Sequence, residues 1–276
     1  MNKIIEKAYA KINLALEVMN SENNYHLVNN LMILIDIYDE LEFEIDKDVF
    51  IVDDKIDDNI ILKAAKLFIN EFNINSGVKI KLNKKIPQAA GLAGGSTDAA
   101  ATLRGLNKLF NVNASDDKLR DLAKKLGSDV PFFIGCNLAM CTHYGEVIEK
   151  LDINFKEFNL LLLKPKFGLS TKEVYKNYIY DNVSKSNKIK NILESLNKND
   201  IEMLKENIFN DLERPAFMIS NELFNIYNDI KKISNIYLSG SGPTLYIINP
   251  KEEVINYIKE TYNDCFIYNT KTIKIY

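Results

Sequence analysis

A glycine-rich segment, "PQAAGLAGGSTDAAATLRGLN" (87–107), carries the residue types that bind phosphate groups. Its closely spaced glycines permit close backbone approach and positive φ. Ser96 or Thr97 stands where a helical pattern begins, and the first N–H groups and the dipole of a helix attract anions. The segment lacks the lysine of the G-x-x-x-x-G-K-[ST] loop and is not a GxGxxG fingerprint. It indicates an anion site of another kind, or a small-residue turn that packs a helix on a strand.

Three further residues have side chains suited to catalysis or binding, but the residues alone favour plainer interpretations. Asp129, in "GSDVPFF" (127–133), follows a Gly-Ser turn and precedes an apolar run. A carboxylate there serves as a general base or caps a helix, and the local pattern favours the cap. Lys11, in "AKIN", resembles a lysine at an exposed strand position. His26 is one of two histidines, and a lone histidine is more often structural.

The elements that would position these residues are mixed strands and helices. Alternating or apolar segments predict strands at 3–18 (a pair or one long strand), 31–45, 77–87, 159–167, 235–249 (two strands around a glycine turn) and 264–275. Helical spacing and caps predict helices at 59–72, 96–110, 115–126, 171–179, 185–197, 199–206 and 251–262. The order lacks regular β-α-β alternation, which favours an α+β fold.

The composition is that of an ordinary globular protein of 276 residues, with 46% hydrophobic and 26% charged residues. A net charge of -3 argues against general electrostatic binding to nucleic acid. We identify no signal peptide and no apolar run of the roughly 18 residues that a membrane helix needs. The three cysteines show neither a CxxC pair nor zinc-site spacing. We therefore expect a cytoplasmic protein with reduced thiols.

Several motifs together resemble those of the GHMP kinases. The glycine segment is similar to their ATP loop, P-x-x-x-G-L-[GA]-x-S-[ST], with one extra glycine, and "LSGSGPTLYII" is similar to their third motif. Similar segments cover nearly the whole chain: "AYAKINLALEV", "NNYHLVNNLMILIDIYDEL", "LGSDVPFFI", "HYGEVIEKL", "FGLSTKEVY" and "NDLERPA". They resemble the branch of the family whose substrate contains cytidine. Two positions depart from its pattern, because Asn23-Asn24 replaces Asp-Gly and His143 replaces a glycine.

The resemblance implies a two-domain α+β GHMP kinase fold. A ribosomal protein S5 domain 2-like, ATP-binding domain would span 1–155, and a ferredoxin-like domain would span 156–276. The implied activity is transfer of phosphate from ATP, with Mg²⁺, to the 2-hydroxyl of 4-diphosphocytidyl-2-C-methyl-D-erythritol in the non-mevalonate isoprenoid pathway. The active site would lie between the domains. The expected partner is this small molecule, without nucleic acid or membrane, and the chain would be a monomer or a homodimer.

Catalytic and acceptor-binding roles are implied by the same resemblance. Asp129 would be the general base, and Lys11 the cation paired with Asp129 and the attacking hydroxyl. Asn13 would bind the erythritol, and Tyr25 and His26 the cytosine. The remaining acceptor residues would be Tyr175, as a second stacking face, and Thr171, which lines the pocket or caps a helix.

Nucleotide-binding roles carry over to one continuous segment, 90–97, and to three residues that precede it. The implied residues are Asn59, Lys84, Pro87, Ala90, Gly91, Leu92, Ala93, Gly94, Gly95, Ser96 and Thr97. A solvated surface position is the alternative for Asn59 and Lys84. No residue cluster is assigned to the metal, although Ser96 or Thr97 could contribute a hydroxyl. Asp98 is interpreted as a helix-start residue, and the turn from 240 to 242 as one that packs against the ATP loop.

Two other functions remain open from the sequence. One is the same fold acting on homoserine or a sugar, which the Tyr25-His26 pair argues against, because a homoserine kinase has no use for a nucleobase pocket. The other is an inactive relative that binds nucleotide as a regulator. Retention of Lys11 and Asp129 argues against that, since a binding module needs no base.

Overall fold

The computed structural model describes residues 3–22, 25–52, 59–180 and 183–276, with the backbone alone at Glu22 and Tyr25. Its strands are β1 (Ile4–Glu22), β2 (Tyr25–Asp46), β3 (Val49–Ile51), β4 (Gly77–Asn83), β5 (Leu138–Thr142), β6 (Val147–Lys150), β7 (Asn159–Lys164), β8 (Phe209–Asn210), β9 (Tyr237–Leu238), β10 (Leu245–Ile248) and β11 (Phe266–Lys271). Its α-helices are α1 (Ile60–Glu71), α2 (Gly94–Leu109), α3 (Asp116–Lys124), α4 (Thr171–Lys176), α5 (Ser186–Lys198), α6 (Ile201–Asn207), α7 (Glu213–Ile219), α8 (Asn221–Lys231) and α9 (Glu252–Thr261), with a 3₁₀ turn at Val130–Phe133.

The strands form two sheets, and this mixed arrangement confirms the predicted α+β class. The first sheet has the order β3-β4-β2-β1-β8, with β5 paired to β2 and β6 paired to β5. The second has the order β11-β7-β10-β9 and is antiparallel. Strand β8, from the later half of the chain, joins the first sheet parallel to β1. The two halves of the chain are therefore interlocked, and the boundary between 155 and 156 stays a prediction.

Strand β1 is buried on both faces. Ala10, Ile12 and Leu14 alternate along it and pack into an apolar cluster with residues of the second sheet. Lys11 and Asn13 lie between them in sequence, so they point to the opposite face. That face is also covered, and Lys11 is only 3% exposed. The interpretation of Lys11 as an exposed strand lysine is therefore wrong.

Helices α1 and α2 pack against each other and complete the core of the first sheet. The buried residues of α1 are Ile61, Ala64, Ala65 and Phe68, which follow the i, i+3, i+4, i+7 spacing of an apolar helix face. In α2 the run 99–101 is all alanine and fully buried. Such short side chains let the helix lie close to its neighbours. None of the helices in the described part of the chain is long and apolar enough to span a membrane.

Several element boundaries differ from the sequence predictions for identifiable reasons. The strand predicted to reach 87 ends at Asn83, because the next amides, those of Lys85 and Ile86, donate to Asp39 Oδ1 instead of a ladder partner. The helix predicted from 96 begins at Gly94. Ser115 caps α3 as expected, but that helix ends at Lys124.

Sequence periodicity also missed whole elements. The unpredicted elements are β3, β5, β6, β8, α7, α8 and the 3₁₀ turn. The strands among them have five residues or fewer, too few for alternation to be recognised. Helices α7 and α8 are separated by Ser220 alone, so they present no loop to mark them.

Candidate active site

A cleft of about 1490 Å³ opens beside the glycine segment. Single-ligand pockets are typically about 300–1,000 Å³, so this cleft is large enough for two substrates. The predicted site residues that line it are Lys11, Asn13, His26, Asn59, Lys84, Pro87, Ala90, Gly91, Ala93, Gly94, Gly95, Ser96, Asp129, Thr171 and Tyr175. The side chain of Tyr25 lies outside the described part of the structure, as do Asn23 and Asn24.

The start of α2 forms one end of this cleft. Its N-cap residue, Ala93, is left-handed at φ 57° and provides no side-chain acceptor. The first-turn N–H groups therefore keep their capacity to bind an anion. Because the helix starts two residues earlier than predicted, Thr97 is already a full turn inside it and is 1% exposed. Leu92 packs into the apolar cluster between the sheets. The structure thus brings neither Leu92 nor Thr97 to the cleft wall.

The glycine segment is held by the turn of the third motif, as expected. Gly91 has φ +73°, and a Cβ built there would lie 2.2 Å from the carbonyl oxygen of Ser239. Ser239 Oγ donates to Gly91 O at 3.0 Å, and Thr244 N donates to Ala90 O at 3.3 Å. Only a glycine allows this contact between distant parts of the chain.

Lys11 lies where the first sheet, the glycine segment and the third-motif turn meet. Its Nζ donates to Asn13 Oδ1 at 2.8 Å and to Gly91 O at 3.2 Å. Asn13 Oδ1 also accepts from Gly240 N at 2.7 Å, and Asn13 Nδ2 donates to Asn30 Oδ1. Burial lowers the pKa of Lys11, and the charge of Asp129 acts in the opposite direction. The ammonium is therefore fixed in place by Asn13, and it does not contact Asp129 directly.

Asp129 immediately precedes the 3₁₀ turn but makes no capping hydrogen bond with its side chain. The helix-cap alternative is therefore not supported. The turn that contains Gly145 lies against it, since a Cβ built at Gly145 would be 3.8 Å from Asp129 Oδ1. His143 keeps that turn in shape at φ 63°, a conformation that histidine tolerates better than most residues. Its Nδ1 contacts Glu146 Oε1 at 2.5 Å, so the departure from the family pattern leaves the turn intact.

Lys84 belongs to a buried ionic cluster in the part of the cleft predicted to bind nucleotide. Its Nζ donates to Asp39 Oδ2 at 2.5 Å and to Asp98 Oδ2 at 2.8 Å. It also lies next to the first residue of α2, because a Cβ built at Gly94 would be 3.2 Å from Nζ. Burial alone would lower the pKa of Lys84, but the charges of Asp98 and Asp39 outweigh it and raise that pKa. Lys84 is therefore not the solvated surface lysine of the alternative interpretation.

An aromatic group lines the same cleft, in the part predicted to hold the acceptor. The His26 and Tyr175 rings are stacked with centroids 5.6 Å apart and an interplanar angle of 28°. Tyr178 meets His26 edge-on at 5.8 Å. Among the described residues, His26 Nδ1 is buried without a hydrogen-bond partner. A buried, unpartnered nitrogen in a cleft wall is costly unless a ligand or water satisfies it, so this atom marks a position for a polar ligand group.

Two further predicted residues occupy the cleft in ways that the sequence did not specify. Thr171 Oγ1 is 2.8 Å from Ser241 Oγ, while Ser170 caps α4. Thr171 therefore joins α4 to the third-motif turn and does not act as the cap. Asn59 is the N-cap of α1, where its Oδ1 accepts from Ile61 N at 2.8 Å.

Sequence reasoning missed three residues that shape the site. Asp39 lies within the segment "NNYHLVNNLMILIDIYDEL" but received no role from the sequence, and Asp98 was interpreted only as a helix-start residue. Tyr178 lies just beyond the "FGLSTKEVY" motif. A signal for Asp39 and Asp98 existed, because charged residues in otherwise apolar or small-residue runs are rarely buried without a partner. The sequence did not show that the shared partner is Lys84.

Comparisons with known proteins agree with this geometry. The family model "GHMP kinases N terminal domain" matches residues 59–136. A 4-diphosphocytidyl-2-C-methyl-D-erythritol kinase of Clostridium beijerinckii is 40% identical over 97% of this chain and 99% of its own length. This chain belongs to the 4-diphosphocytidyl-2-C-methyl-D-erythritol kinase family. A second relative of that name, from Thermoanaerobacter pseudethanolicus, is 38% identical over 99% of this chain and 97% of its own length.

Solved structures place this kinase family within the GHMP fold. A crystal structure of 4-(cytidine 5'-diphospho)-2C-methyl-D-erythritol kinase covers 98% of this chain and 100% of its own, with a TM-score of 0.82 and 26% identity. A homoserine kinase from Cytophaga hutchinsonii has a TM-score of 0.75 at 17% identity, covering 99% of this chain and 98% of its own, which shows a shared fold. The expected two-domain GHMP kinase fold is confirmed.

Family membership makes ATP the phosphate donor, and the cleft suits it. A helix N-terminus without a side-chain cap, a glycine in the left-handed region and the Lys84 ammonium converge at one end. Within the described ranges, no group of three or more His, Cys, Asp or Glu side chains is placed to hold a metal ion.

Proposed function

We propose that this kinase transfers the γ-phosphate of ATP to the 2-hydroxyl of 4-diphosphocytidyl-2-C-methyl-D-erythritol, in the non-mevalonate isoprenoid pathway. The observation that carries the proposal is the continuity of the cleft. It joins an anion-binding helix end, a buried lysine, an aspartate and an unpartnered histidine nitrogen along one wall. Phosphoryl transfer depends mainly on positioning and charge stabilisation, and this wall offers both.

Asp129 accepts the proton of the acceptor hydroxyl in this mechanism. Its side chain lines the cleft and is not committed to capping the 3₁₀ turn. Lys11 stabilises the negative charge that develops on the attacking oxygen and the transferred group. Its bond to Gly91 O holds it at the glycine segment, and its bond to Asn13 fixes its direction. The charge of Asp129 acts on the Lys11 ammonium, so the two groups work as a pair without direct contact.

The nucleotide end would hold ATP through the backbone of residues 90–96, the first turn of α2 and Lys84. When bound, ATP with Mg²⁺ supplies the phosphoryl group and the metal that neutralises its charge. Phosphate oxygens and water would provide most of the metal ligands. Ser96 is the hydroxyl candidate, because it lines the cleft whereas Thr97 does not.

The acceptor end would hold the cytidine part of the substrate. His26 Nδ1 reads the edge of the cytosine, which would satisfy an atom that is buried without a partner. Tyr175 offers the second aromatic face for stacking, and Tyr25 stays the predicted first face. Thr171 and the remaining N–H of Asn13 face the part of the substrate near the reacting hydroxyl, since both residues line the cleft beside Lys11 or the third-motif turn.

The test is release of ADP from ATP and Mg²⁺ by the purified protein, with four acceptors compared at equal concentration. The acceptors are 4-diphosphocytidyl-2-C-methyl-D-erythritol, homoserine, galactose and mevalonate. We expect turnover only with the cytidine compound, and product analysis should place the phosphate on the 2-hydroxyl.

The other outcomes separate the remaining functions. Turnover with homoserine or a sugar instead would keep the fold and overturn the proposed acceptor. Nucleotide binding without turnover on any acceptor would favour a regulator that has lost catalysis. Addition of cytidine diphosphate as a competitor checks the acceptor pocket, because only an enzyme with a cytidine site should be inhibited competitively against the acceptor.

A further inference from the structure

Strand β2 presents a row of three side chains to the cleft. His26, Val28 and Asn30 are two residues apart, so their side chains lie on the same face of the strand, and all three line the cleft. A rise of about 3.3 Å per residue places Asn30 about 13 Å from His26 along the strand. The proposed mechanism uses His26 and leaves Asn30 without a part.

Asn30 lies between the base-reading histidine and the catalytic lysine. Asn13 of β1 pairs with Met32, which is two residues beyond Asn30 on the same face of β2. Asn13 and Asn30 are therefore diagonal neighbours, within reach of each other's side chains. Lys11 is two residues further along β1, in the direction that leads away from His26. Asn30 is thus on the His26 side of the Lys11–Asn13 pair.

The hydrogen bonds around Asn30 determine which of its atoms is left for a ligand. Lys11 Nζ and Gly240 N can only donate, so Asn13 turns its Oδ1 towards both, at 2.8 and 2.7 Å. Asn13 Nδ2 must then donate, and it donates to Asn30 Oδ1 at 2.5 Å. Because its oxygen is bound to Asn13, Asn30 offers its Nδ2 group, which is a donor.

This Nδ2 group is available in the cleft. Among the described residues, the bond from Asn13 is the only side-chain hydrogen bond of Asn30, so Nδ2 has no acceptor there. Asn30 is 6% exposed. Its Nδ2 is not one of the fully buried, unpartnered polar atoms of the described residues, so it keeps contact with the open cleft. A nearly buried donor without an acceptor is costly, and a ligand oxygen would satisfy it.

The acceptor of the proposed function offers two hydroxyls to such a donor. The 4-position of the methylerythritol carries the diphosphocytidyl group and the 2-position takes the phosphate, which leaves the hydroxyls at positions 1 and 3. The 3-hydroxyl lies on the cytidine side of the reacting carbon, and Asn30 lies on the His26 side of Lys11 and Asn13. The 1-hydroxyl lies on the far side of the reacting carbon.

We propose that Asn30 Nδ2 donates a hydrogen bond to the 3-hydroxyl of the methylerythritol part, which makes Asn30 a specificity-determining residue for the acceptor. This inference rests on the proposed function, because it takes the acceptor from it. A compound without an oxygen at position 3 leaves the donor unsatisfied, which lowers its kcat/KM. The contact is joined to the catalytic lysine, since Asn30 holds Asn13 and Asn13 holds the Lys11 ammonium.

The experiment compares the acceptor with its 3-deoxy analogue, in the unaltered protein and in Asn30→Ala, with ATP and Mg²⁺ saturating. The quantity measured is the ratio of kcat/KM for the acceptor to kcat/KM for the analogue. Asn30→Ala should reduce this ratio about three- to tenfold, the usual worth of one hydrogen bond. A loss of activity from disturbed packing, or from a displaced Lys11, affects both compounds alike and cancels in the ratio.

Two further variants support the comparison. Asn30→Leu keeps the volume of the side chain and removes its donor, so it should reduce the ratio to the same extent, and it replaces Asn30→Ala if that variant does not fold. Asn29→Ala is the matched control. Asn29 is the adjacent asparagine on the opposite face of β2, away from the cleft lining, and its Nδ2 donates to Glu17 Oε2 at 2.8 Å. Its ratio should equal that of the unaltered protein.

The outcomes distinguish this inference from the proposed function. Absence of turnover of the acceptor by the unaltered protein would overturn the proposed function. Turnover with a ratio that Asn30→Ala and Asn30→Leu leave unchanged would overturn the role of Asn30 alone. Cytidine diphosphate has the diphosphate but no methylerythritol, so its inhibition constant should be the same in Asn30→Ala. Weaker inhibition of that variant would place the donor at the diphosphate and overturn the contact with the 3-hydroxyl.

Discussion

The two ends of the cleft differ in how their polar groups are satisfied. At the nucleotide end, from Lys84 to Asp98, the side chains and carbonyls bind one another: Lys84 joins two carboxylates, and Gly91 O accepts from Lys11 and Ser239. At the acceptor end, His26 Nδ1 has no hydrogen-bond partner in the described structure. The Asp129 side chain makes no capping hydrogen bond to the 3₁₀ turn that follows it. The nucleotide end is thus largely preformed, whereas the acceptor end leaves its functional atoms for the substrate.

Under the proposed function, this difference follows from what each end would recognise. A triphosphate is bound by backbone amides and a cation whose positions must be fixed before it arrives. A nucleobase is recognised by specific hydrogen bonds, and an unpartnered buried nitrogen rejects ligands that cannot satisfy it. Two atoms of residues 84–98 depart from this pattern, because Thr97 Oγ1 and Asp98 Oδ1 are buried without a hydrogen-bond partner among the described residues.

The largest expected effect is at the acceptor end, in catalysis. Asp129→Asn should lower kcat by about 10²–10⁴, because it removes the proton acceptor, while the Kd for ATP stays within about twofold since the nucleotide end is separate. Steady-state kinetics measures kcat, and titration calorimetry measures the Kd for ATP. Asp117→Asn, at a carboxylate that is 91% exposed, is the control. A kcat equal to that of the control would remove Asp129 as the base.

The next effect is on the preformed nucleotide end. Gly91→Ala should lower the free energy of unfolding by about 3 kcal/mol, since it combines a left-handed residue with a Cβ that clashes with the Ser239 carbonyl. Urea unfolding of the nucleotide-free protein measures this change in the free energy of unfolding. Gly95→Ala is the matched control, because Gly95 is helical and its Cβ has room. The free energy of unfolding of Gly95→Ala should rise by up to about 1 kcal/mol. Equal stability of the two variants would mean that the loop is not held by the third-motif turn.

A smaller effect should separate binding of the two substrates. His26→Ala should raise KM for the cytidine substrate about tenfold, the usual cost of losing one buried hydrogen bond and a ring contact, and leave KM for ATP unchanged. Tyr175→Phe, which keeps the stacked ring and removes only the hydroxyl, should change neither constant by much. If His26→Ala affects ATP more than the cytidine substrate, the two ends have been assigned the wrong way round.

The most gradual effect is a pH dependence of stability. Because the pKa of Asp98 is raised to about 7 when folded from 3.8, the native state holds a proton that the unfolded state releases. The stabilising contribution is complete below about pH 4 and is lost as pH rises through about 7, at no more than about 1.4 kcal/mol per pH unit. Unfolding of the unaltered protein and of Asp98→Asn, compared at several pH values, should show the unaltered protein losing stability relative to Asp98→Asn as pH rises through that window, because the amide stays neutral. A difference that is constant with pH would mean that Asp98 is ionised throughout.

Part of this site could be predicted from the sequence because its residues are contiguous. The glycine segment, its following helix and the anion-binding character of the helix start all depend on residues within one short stretch. The position of the helix start was wrong by two residues, since Ala93 adopts a left-handed cap conformation that alanine rarely takes. That small error moved Thr97 from the cleft to the core.

The sequence by itself determined the α+β composition, most of the long helices and strands, and the motifs that assign the family. These follow from local periodicity, turn chemistry and short-range spacing. The tertiary structure alone decided that Lys11 is buried, since the glycine segment and the third-motif turn cover its face of β1. It also decided that Lys84 joins Asp39, 45 residues away, because an ion pair depends on where two strands and a helix meet and not on the residues beside either partner.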